Sequence, residues 1–351
     1  MKVIRFRRPP APLPALLCRW DLDKTYLRSE FDTLGQLWRT AWETGADKVE
    51  VPGVVDVIKG LKACAERHGR AAQLQFISAS PPQIGKAIRD KLALDGIPYD
   101  SITFKDQLQH LRRGNLRKLR EHAGFKLTEL LRGRRGAPTD ARELLFGDDW
   151  ESDPLIYSVY ADMVAGRLGG ALLERVLGRI GVDATTVAAI VAAAGEVAGP
   201  ARVDRIFINL ERRTPTGVFR LYGPRVVPSF NYFQTALVLA GDGWLDPEDL
   251  LRVARALAGG AGFTPRRLEN SLADLVRRGH VTPDSGDRLA RPLRKAGLLP
   301  PGPRGPADWF RRRLAALRRG RRPLASDEAL DYTAILERLP ARRATPEAKA
   351  T

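Results

Sequence analysis

Asp21-Leu22-Asp23-Lys24-Thr25 closes the short apolar run Leu16-Leu17-Cys18-Arg19-Trp20, and the reading of the whole fold turns on that junction. Arg19 interrupts the run, yet its length and apolar character predict a buried strand that delivers Asp21 and Asp23 at its carboxyl end. A spacing of two residues lets the turn present both carboxylates to one pocket.

Outward from this turn, the pattern alternates. Phe31, Leu34, Trp38, Ala41 and Trp42 fall at helical spacing, and Val54, Ile58, Leu61 and Ala65 mark a second helix. Leu74 to Ile77 predicts a strand ending at Ser78, Ile84 to Leu92 a helix, and Ser101 to Phe104 a short strand. A basic segment, Arg112 to Arg120, leads to Lys126. Leu144 to Phe146 is a further strand ending at Gly147-Asp148, with a helix over Leu155 to Met163. Such alternation predicts an α/β fold, a Rossmann-like parallel sheet with helices on both faces.

Two Ala- and Leu-rich helices, roughly 170–180 and 185–197, read as an insertion, after which Val203 to Leu210 is expected as the last strand of the sheet. Asp246-Pro247-Glu248 and Thr264-Pro265 combine an N-cap residue with a first-position proline, so 228–299 is expected as a helical subdomain. Arg266, Arg267, Arg277 and Arg278 within it leave a helix-turn-helix reading open. Residues 300–351 divide into a Pro/Gly linker, a basic amphipathic helix around Trp309 to Arg319, and a tail. The catalytic domain is therefore drawn as 1–227, with its insertion at about 165–200.

Composition limits the chemistry. The two cysteines, Cys18 and Cys64, are too few for a disulfide framework, and with four histidines no zinc-binding spacing is present. Catalysis should rest on carboxylates. Lys plus Arg total 58 against 41 Asp plus Glu, a net charge of +17 that favours polyanionic partners such as anionic lipid, nucleic acid or phosphorylated substrates. No stretch approaches the roughly 18 consecutive apolar residues of a membrane span. Met1 to Pro14 is basic and broken by prolines, which reads against a secretory leader and makes a cytoplasmic protein, peripheral to a membrane at most, the expectation.

Hydrolysis of a phosphate ester is chiefly positioning and charge neutralisation. Asp21 can act as the nucleophile and Asp23 as general acid and base. Asp148 supplies a further hard oxygen ligand which, with Asp21 and the carbonyl of residue 23, suits magnesium, and either Asp149 or Asp153 completes or orients that shell. Ser78 offers a hydroxyl and Lys126 a fixed positive charge to the phosphoryl group.

Taken together, Asp21, Asp23 and Thr25, then Ser78, Lys126, and Asp148 with Asp149 or Asp153, resemble the four motifs of the haloacid dehalogenase superfamily. Phe76-Ile77-Ser78-Ala79-Ser80-Pro81, Phe125-Lys126-Leu127 and Gly147-Asp148-Asp149-Trp150-Glu151-Ser152-Asp153-Pro154-Leu155-Ile156-Tyr157 are similar to the actin-patch phosphatidate phosphatase catalytic domain. The resemblance spans about Leu16 to Leu210. It implies a haloacid dehalogenase-like fold, Mg2+ dependence, an aspartyl-phosphate intermediate, and phosphatidate or a related phospholipid as substrate, with Thr25, Ser78 and Lys126 around the phosphate. Lys24, where that family commonly has an acid, Pro82 in place of a frequent tryptophan, and the helical insertion depart from it. The short interval from Thr25 to Pro52 leaves little or no room for a cap. A nucleic-acid end phosphatase, and a catalytically inactive basic protein that binds membrane or nucleic acid, remain the alternatives.

Overall fold

The parallel sheet forms because six short apolar segments each end where a turn or helix can leave the plane. In the computed structural model these are β1 (Leu16–Asp21), β2 (Ala72–Ser78), β3 (Ser101–Phe104), β4 (Arg142–Asp148), β5 (Arg202–Asn209) and β6 (Val226–Ser229). Their order is β3-β2-β1-β4-β5-β6, and every ladder is parallel. The structure describes residues 14–27, 50–78, 82–105, 115–150, 152–199, 202–302 and 330–338, apart from the side chains of 115–121 and 338. The expected helix from Phe31 to Trp42, the run Ala79-Ser80-Pro81 and the basic helix around Trp309 to Arg319 lie outside these residues.

Parallel strands require crossovers, and helices supply them on both faces. One face carries α1 (Val54–Arg67) and α2 (Gly85–Leu94). The other carries α3 (Asn115–Arg135), α4 (Asp153–Val164), α5 (Gly170–Ile180) and α6 (Ala184–Val197). The segment expected as an insertion forms the helices α5 and α6, which share an apolar cluster with α3 and α4.

The four helices α7 (Tyr232–Gly241), α8 (Pro247–Gly260), α9 (Pro265–Arg278) and α10 (Pro283–Lys295) account for most of the segment expected as a helical subdomain. They pack into the same apolar cluster as α1, α2 and the underside of the sheet, with Tyr232, Phe233 and Leu237 beside Trp20, Phe146 and Phe207. Their starts follow the predicted chemistry: Thr264 Oγ1 accepts from Arg267 N at 3.2 Å, and Asp246 N donates to Asp249 Oδ2 at 3.2 Å. The arginines that left a helix-turn-helix reading open are largely engaged within the protein. Arg277 and Arg278 pair with Asp274, Arg278 also donates to Pro228 O, and Arg267 lies over Phe263. A last helix, α11 (Tyr332–Arg338), reaches the α4 face, where Tyr332 donates to Asp162 at 2.7 Å.

One expectation is corrected. β5 is not the last strand, because Val226–Ser229 pairs alongside it as β6. Pro228 argues against a strand in the sequence, since it cannot donate to a ladder. β6 is the edge of the sheet among the described residues, so the missing donor falls on the side that carries no further strand and is tolerated.

Arg19 explains itself only in the folded chain. Along β1, Leu16, Cys18 and Trp20 face the α1 and α7 layer, so alternation sends Leu17, Arg19 and Asp21 to the α3 and α4 layer. Arg19 is fully buried there, donating to Glu143 at 2.8 Å and Gln75 at 2.5 Å, while Tyr160 donates to the same Glu143 at 2.9 Å. On the opposite face Trp20, Phe146 and Phe207 occupy adjoining register positions and stack across three strands, with ring centroids 3.5 and 5.1 Å apart. Stacks of this kind add about 1 kcal/mol each beyond area burial, and they clamp together the strands whose ends carry the acidic motifs.

Candidate active site

The strand order reverses direction between β1 and β4: the chain builds outward from β1 to β3, then returns to the other side of β1. Ligand crevices in open α/β sheets form at the carboxyl ends of strands at such a switch point. Asp21 is the last residue of β1 and Asp148 the last of β4, so the topology brings the two motifs together across the crevice.

Two helices complete the cluster. Lys126 projects from α3 and is fully buried, with Nζ 3.2 Å from Asp21 Oδ1 and 2.5 Å from Asp153 Oδ1. Asp153 opens α4, next to Pro154 in the first turn, and its second oxygen accepts from the Asp148 backbone N–H at 3.3 Å. Placing a carboxylate at a helix start favours its charge through the helix dipole. Gly147 makes this approach feasible, since a Cβ there would meet Asp153 Oδ2 at 2.3 Å.

Asp21, Asp148 and Asp153 are all buried, and one oxygen from each lies within 4.8 Å of the others. The donors are hard carboxylate oxygens without nitrogen or sulfur, which fits a magnesium-type cation rather than zinc or copper. Lys126 supplies part of the positive charge that holds these acids together. Asp149 lies outside the cluster: its carboxylate accepts from Arg212 N at 2.9 Å and Thr214 N at 3.0 Å, which holds the loop after β5 against β4.

Asp23 and Ser78 meet at the mouth, with Ser78 Oγ donating to Asp23 Oδ2 at 3.1 Å. Asp23 is partly exposed, whereas Ser78 is buried at the end of β2. The turn between Asp21 and Leu27 is tied by Tyr26 N and Leu27 N donating to Leu22 O, and Lys24 takes a left-handed conformation, φ 58°. Thr25 is fully buried beneath this turn.

Sequence reasoning did not single out the residues that hold the turn from below. Tyr232, at the start of α7, donates to Thr25 O at 2.7 Å and receives a long contact from Trp20 Nε1 at 3.4 Å. Asn209, ending β5, donates to Lys24 O at 2.9 Å. Tyr157 lies under the site, its ring 6.0 Å from Lys126 Nζ, and burial together with the nearby Asp153 charge pushes its hydroxyl well above the usual phenol range. Tyr157 sits in the quoted acidic motif, but Tyr232 and Asn209 carry no local signal.

A second grouping was also hidden by separation in the chain. Cys64 and His68, one turn apart on and just after α1, come within 4.8 Å of Asp246. Arg67 Nη2 already pairs with Asp246 at 2.7 Å, which supplies that carboxylate with a cation.

Among the described residues, no helix is long and apolar enough to cross a membrane. No curated protein matches the chain. A family model, phosphatidate phosphatase APP1, catalytic domain, matches residues 20–173, a span that contains all four acidic, hydroxyl and lysine motifs. The segment 20–173, which carries Asp21 and Asp148 at the switch point of the parallel sheet, is thus similar to the catalytic domain of this phosphatidate phosphatase family, a haloacid dehalogenase-like family of phosphoric monoester hydrolases.

Proposed function

We propose that the protein is a Mg2+-dependent phosphatase that works through an aspartyl-phosphate on Asp21, with phosphatidate or a closely related phospholipid as substrate. The observation that carries this reading is the buried group formed by Asp21 and Asp148 at adjoining strand ends with Lys126 and Asp153 from the flanking helices.

Asp21, Asp148 and Asp153 would hold the ion, which when bound neutralises the phosphoryl oxygens and draws the phosphorus toward attack. An Asp21 carboxylate oxygen attacks phosphorus while the bond to the ester oxygen breaks, and Asp23 gives its proton to that departing oxygen. Water then attacks phosphorus, Asp23 takes the water's proton, and the P–O bond to Asp21 breaks. Inorganic phosphate leaves and both carboxylates return to their starting states. Lys126 stabilises the charge on Asp21 and the phosphoryl group, and Ser78 orients Asp23 and a phosphoryl oxygen.

The rim suits an anionic substrate surface. Half-exposed Trp150 lies between Lys24, whose Nζ is 3.5 Å from the ring centroid, and Arg212, whose Cζ is 4.2 Å away. Cation–π contact fixes both cations beside the mouth. A lipid headgroup approaching Asp21 would meet these charges first.

The test compares wild type with Asp21→Asn for phosphate release from phosphatidate liposomes, a 3′-phosphorylated oligonucleotide and an aryl phosphate, each with and without Mg2+. The expected result is Mg2+-dependent release, fastest from the liposomes and reduced at least 1,000-fold in the variant. Equal release by both proteins on all substrates would sink the mechanism. Preference for the oligonucleotide would replace the lipid substrate.

A further inference from the structure

A second, basic cavity of about 910 Å³ lies at the opposite end of the sheet from the acidic site. Arg70, Arg142, Arg167, Arg202, Arg205 and Arg225 line it. They come from the amino ends of β2, β4, β5 and β6 and from the turn after α4, so segments far apart in the chain converge there. Arg142 begins β4 and Asp148 ends it, a separation of roughly 20 Å at about 3.3 Å per residue. The cavity is therefore outside the reach of a phosphate bound at Asp21.

Four of these arginines are paired with acids among the described residues. Arg142 pairs with Asp204 at 2.5 Å, Arg205 with Asp242 at 2.6 Å, and Arg167 and Arg225 share Asp162 at 2.7 and 3.1 Å. Arg70 and Arg202 make no ion pair among the described residues. Asp162 is committed further, since Tyr332 donates to its other oxygen. Arg70 lies 4.3 Å over the Trp244 ring, and its Nε is buried without a hydrogen-bond partner. Burial and the neighbouring Arg142 charge lower the Arg70 pKa. His280 also lines the cavity, and burial together with the charges of Arg278 and Arg205 holds its imidazole down at about 3. Thr282 and Ser285, at the amino end of α10, add the positive end of a helix dipole to the wall.

We propose that this cavity binds a small soluble anion carrying at least two phosphate-type groups. Guanidinium groups match phosphate oxygens in pairs, and Arg70 and Arg202 line the cavity with no ion pair among the described residues. The volume falls in the range of ordinary small-molecule sites and far exceeds one inorganic phosphate. Because the walls come from several strand ends and leave room for a small molecule, the fit is to a compact metabolite and not to a polymer.

The test uses the full chain in chelator at physiological salt, with inositol hexakisphosphate, ATP and pyrophosphate as probes and inorganic phosphate as the undersized control. Calorimetry measures affinity, and the imidazole resonance of His280, assigned with His280→Gln, locates the ligand among the four histidines. At least one probe should bind ten times more tightly than inorganic phosphate and shift the His280 resonance. Arg70→Gln with Arg202→Gln, which breaks no ion pair among the described residues, should weaken that binding at least tenfold and leave the melting temperature of the free protein unchanged. Arg175→Gln with Arg179→Gln, the same charge change on exposed α5 positions, should change it less than twofold. No binding by any probe, no movement of His280, or equal losses in the two double variants would each overturn the proposal.

Discussion

Gly147 and Asp153 approach so closely that a methyl group on the glycine would overlap the carboxylate, its Cβ 2.3 Å from Oδ2 and 2.8 Å from Cγ. The contact joins the end of β4 to the start of α4 and sets where the carboxylate meets Lys126. Gly147→Ala must push Asp153 away or bend β4. Activity should fall 10- to 100-fold, as when a group orienting a metal ligand is lost. Stability should fall by about 1–3 kcal/mol, as in overpacked cores. Gly136→Ala, with nothing within 4 Å of an added Cβ, serves as the control and should change neither kcat/KM nor the urea midpoint.

Asp149 and Asp153 are equivalent candidates in the sequence and make opposite contacts in the fold. Asp153→Asn should raise the Mg2+ concentration for half-maximal activity at least 100-fold, since it removes a charge from the buried cluster. Asp149→Asn should raise it less than threefold and cost about 1 kcal/mol of stability, because its acceptor role toward Arg212 and Thr214 is weakened. A Mg2+ titration of initial rates for the two variants separates the roles. A larger effect at Asp149 would reverse the assignment.

Tyr232→Phe deletes one hydroxyl that holds the turn bearing Asp23. Removing the donor to Thr25 O leaves a buried carbonyl unpaired, so about 1–2 kcal/mol of stability should be lost. If the turn geometry matters, kcat should fall several-fold while KM stays within twofold, because Tyr232 is buried and does not reach the mouth. A change in KM alone would contradict this positioning role.

His280 provides a pH test. Burial, followed by the positive charges of Arg278 and Arg205, lowers its pKa from 6.5 to about 3, with Asp274 opposing. The unfolded chain binds a proton near pH 6.5 that the folded chain refuses until about pH 3, so stability is complete above 6.5 and drains away as pH falls through that window. Between pH 7.5 and 5 the loss from this group is at most about 2 kcal/mol. Urea unfolding of wild type and His280→Gln at both pH values should show a steeper decline in the wild type. Parallel declines would remove the effect.

The opening strand and acidic turn, the parallel alternation and the four motifs are legible in sequence because each depends on neighbours a few residues apart: strand runs are apolar, helices repeat every three to four residues, and the motif carboxylates follow directly on apolar runs. Asp21, Asp23, Ser78, Lys126 and Asp148 can be named on that basis. Partner choice across the sheet cannot. Arg19 interrupts an apolar run and reads as a blemish, until strand order sets it against Glu143, 124 residues away. Val203 to Leu210 reads as the last strand, until Val226–Ser229 proves to pair beside it as an edge strand. Tyr232, 207 residues from Thr25, supports the turn that carries Asp23, and six scattered arginines line one cavity. Local periodicity decides which segments become strands and helices, but the order in which strands pair decides which buried charges meet. That order depends on the whole chain burying its apolar faces at once, so only the tertiary structure separates Asp153 at the acidic cluster from Asp149 on the neighbouring loop.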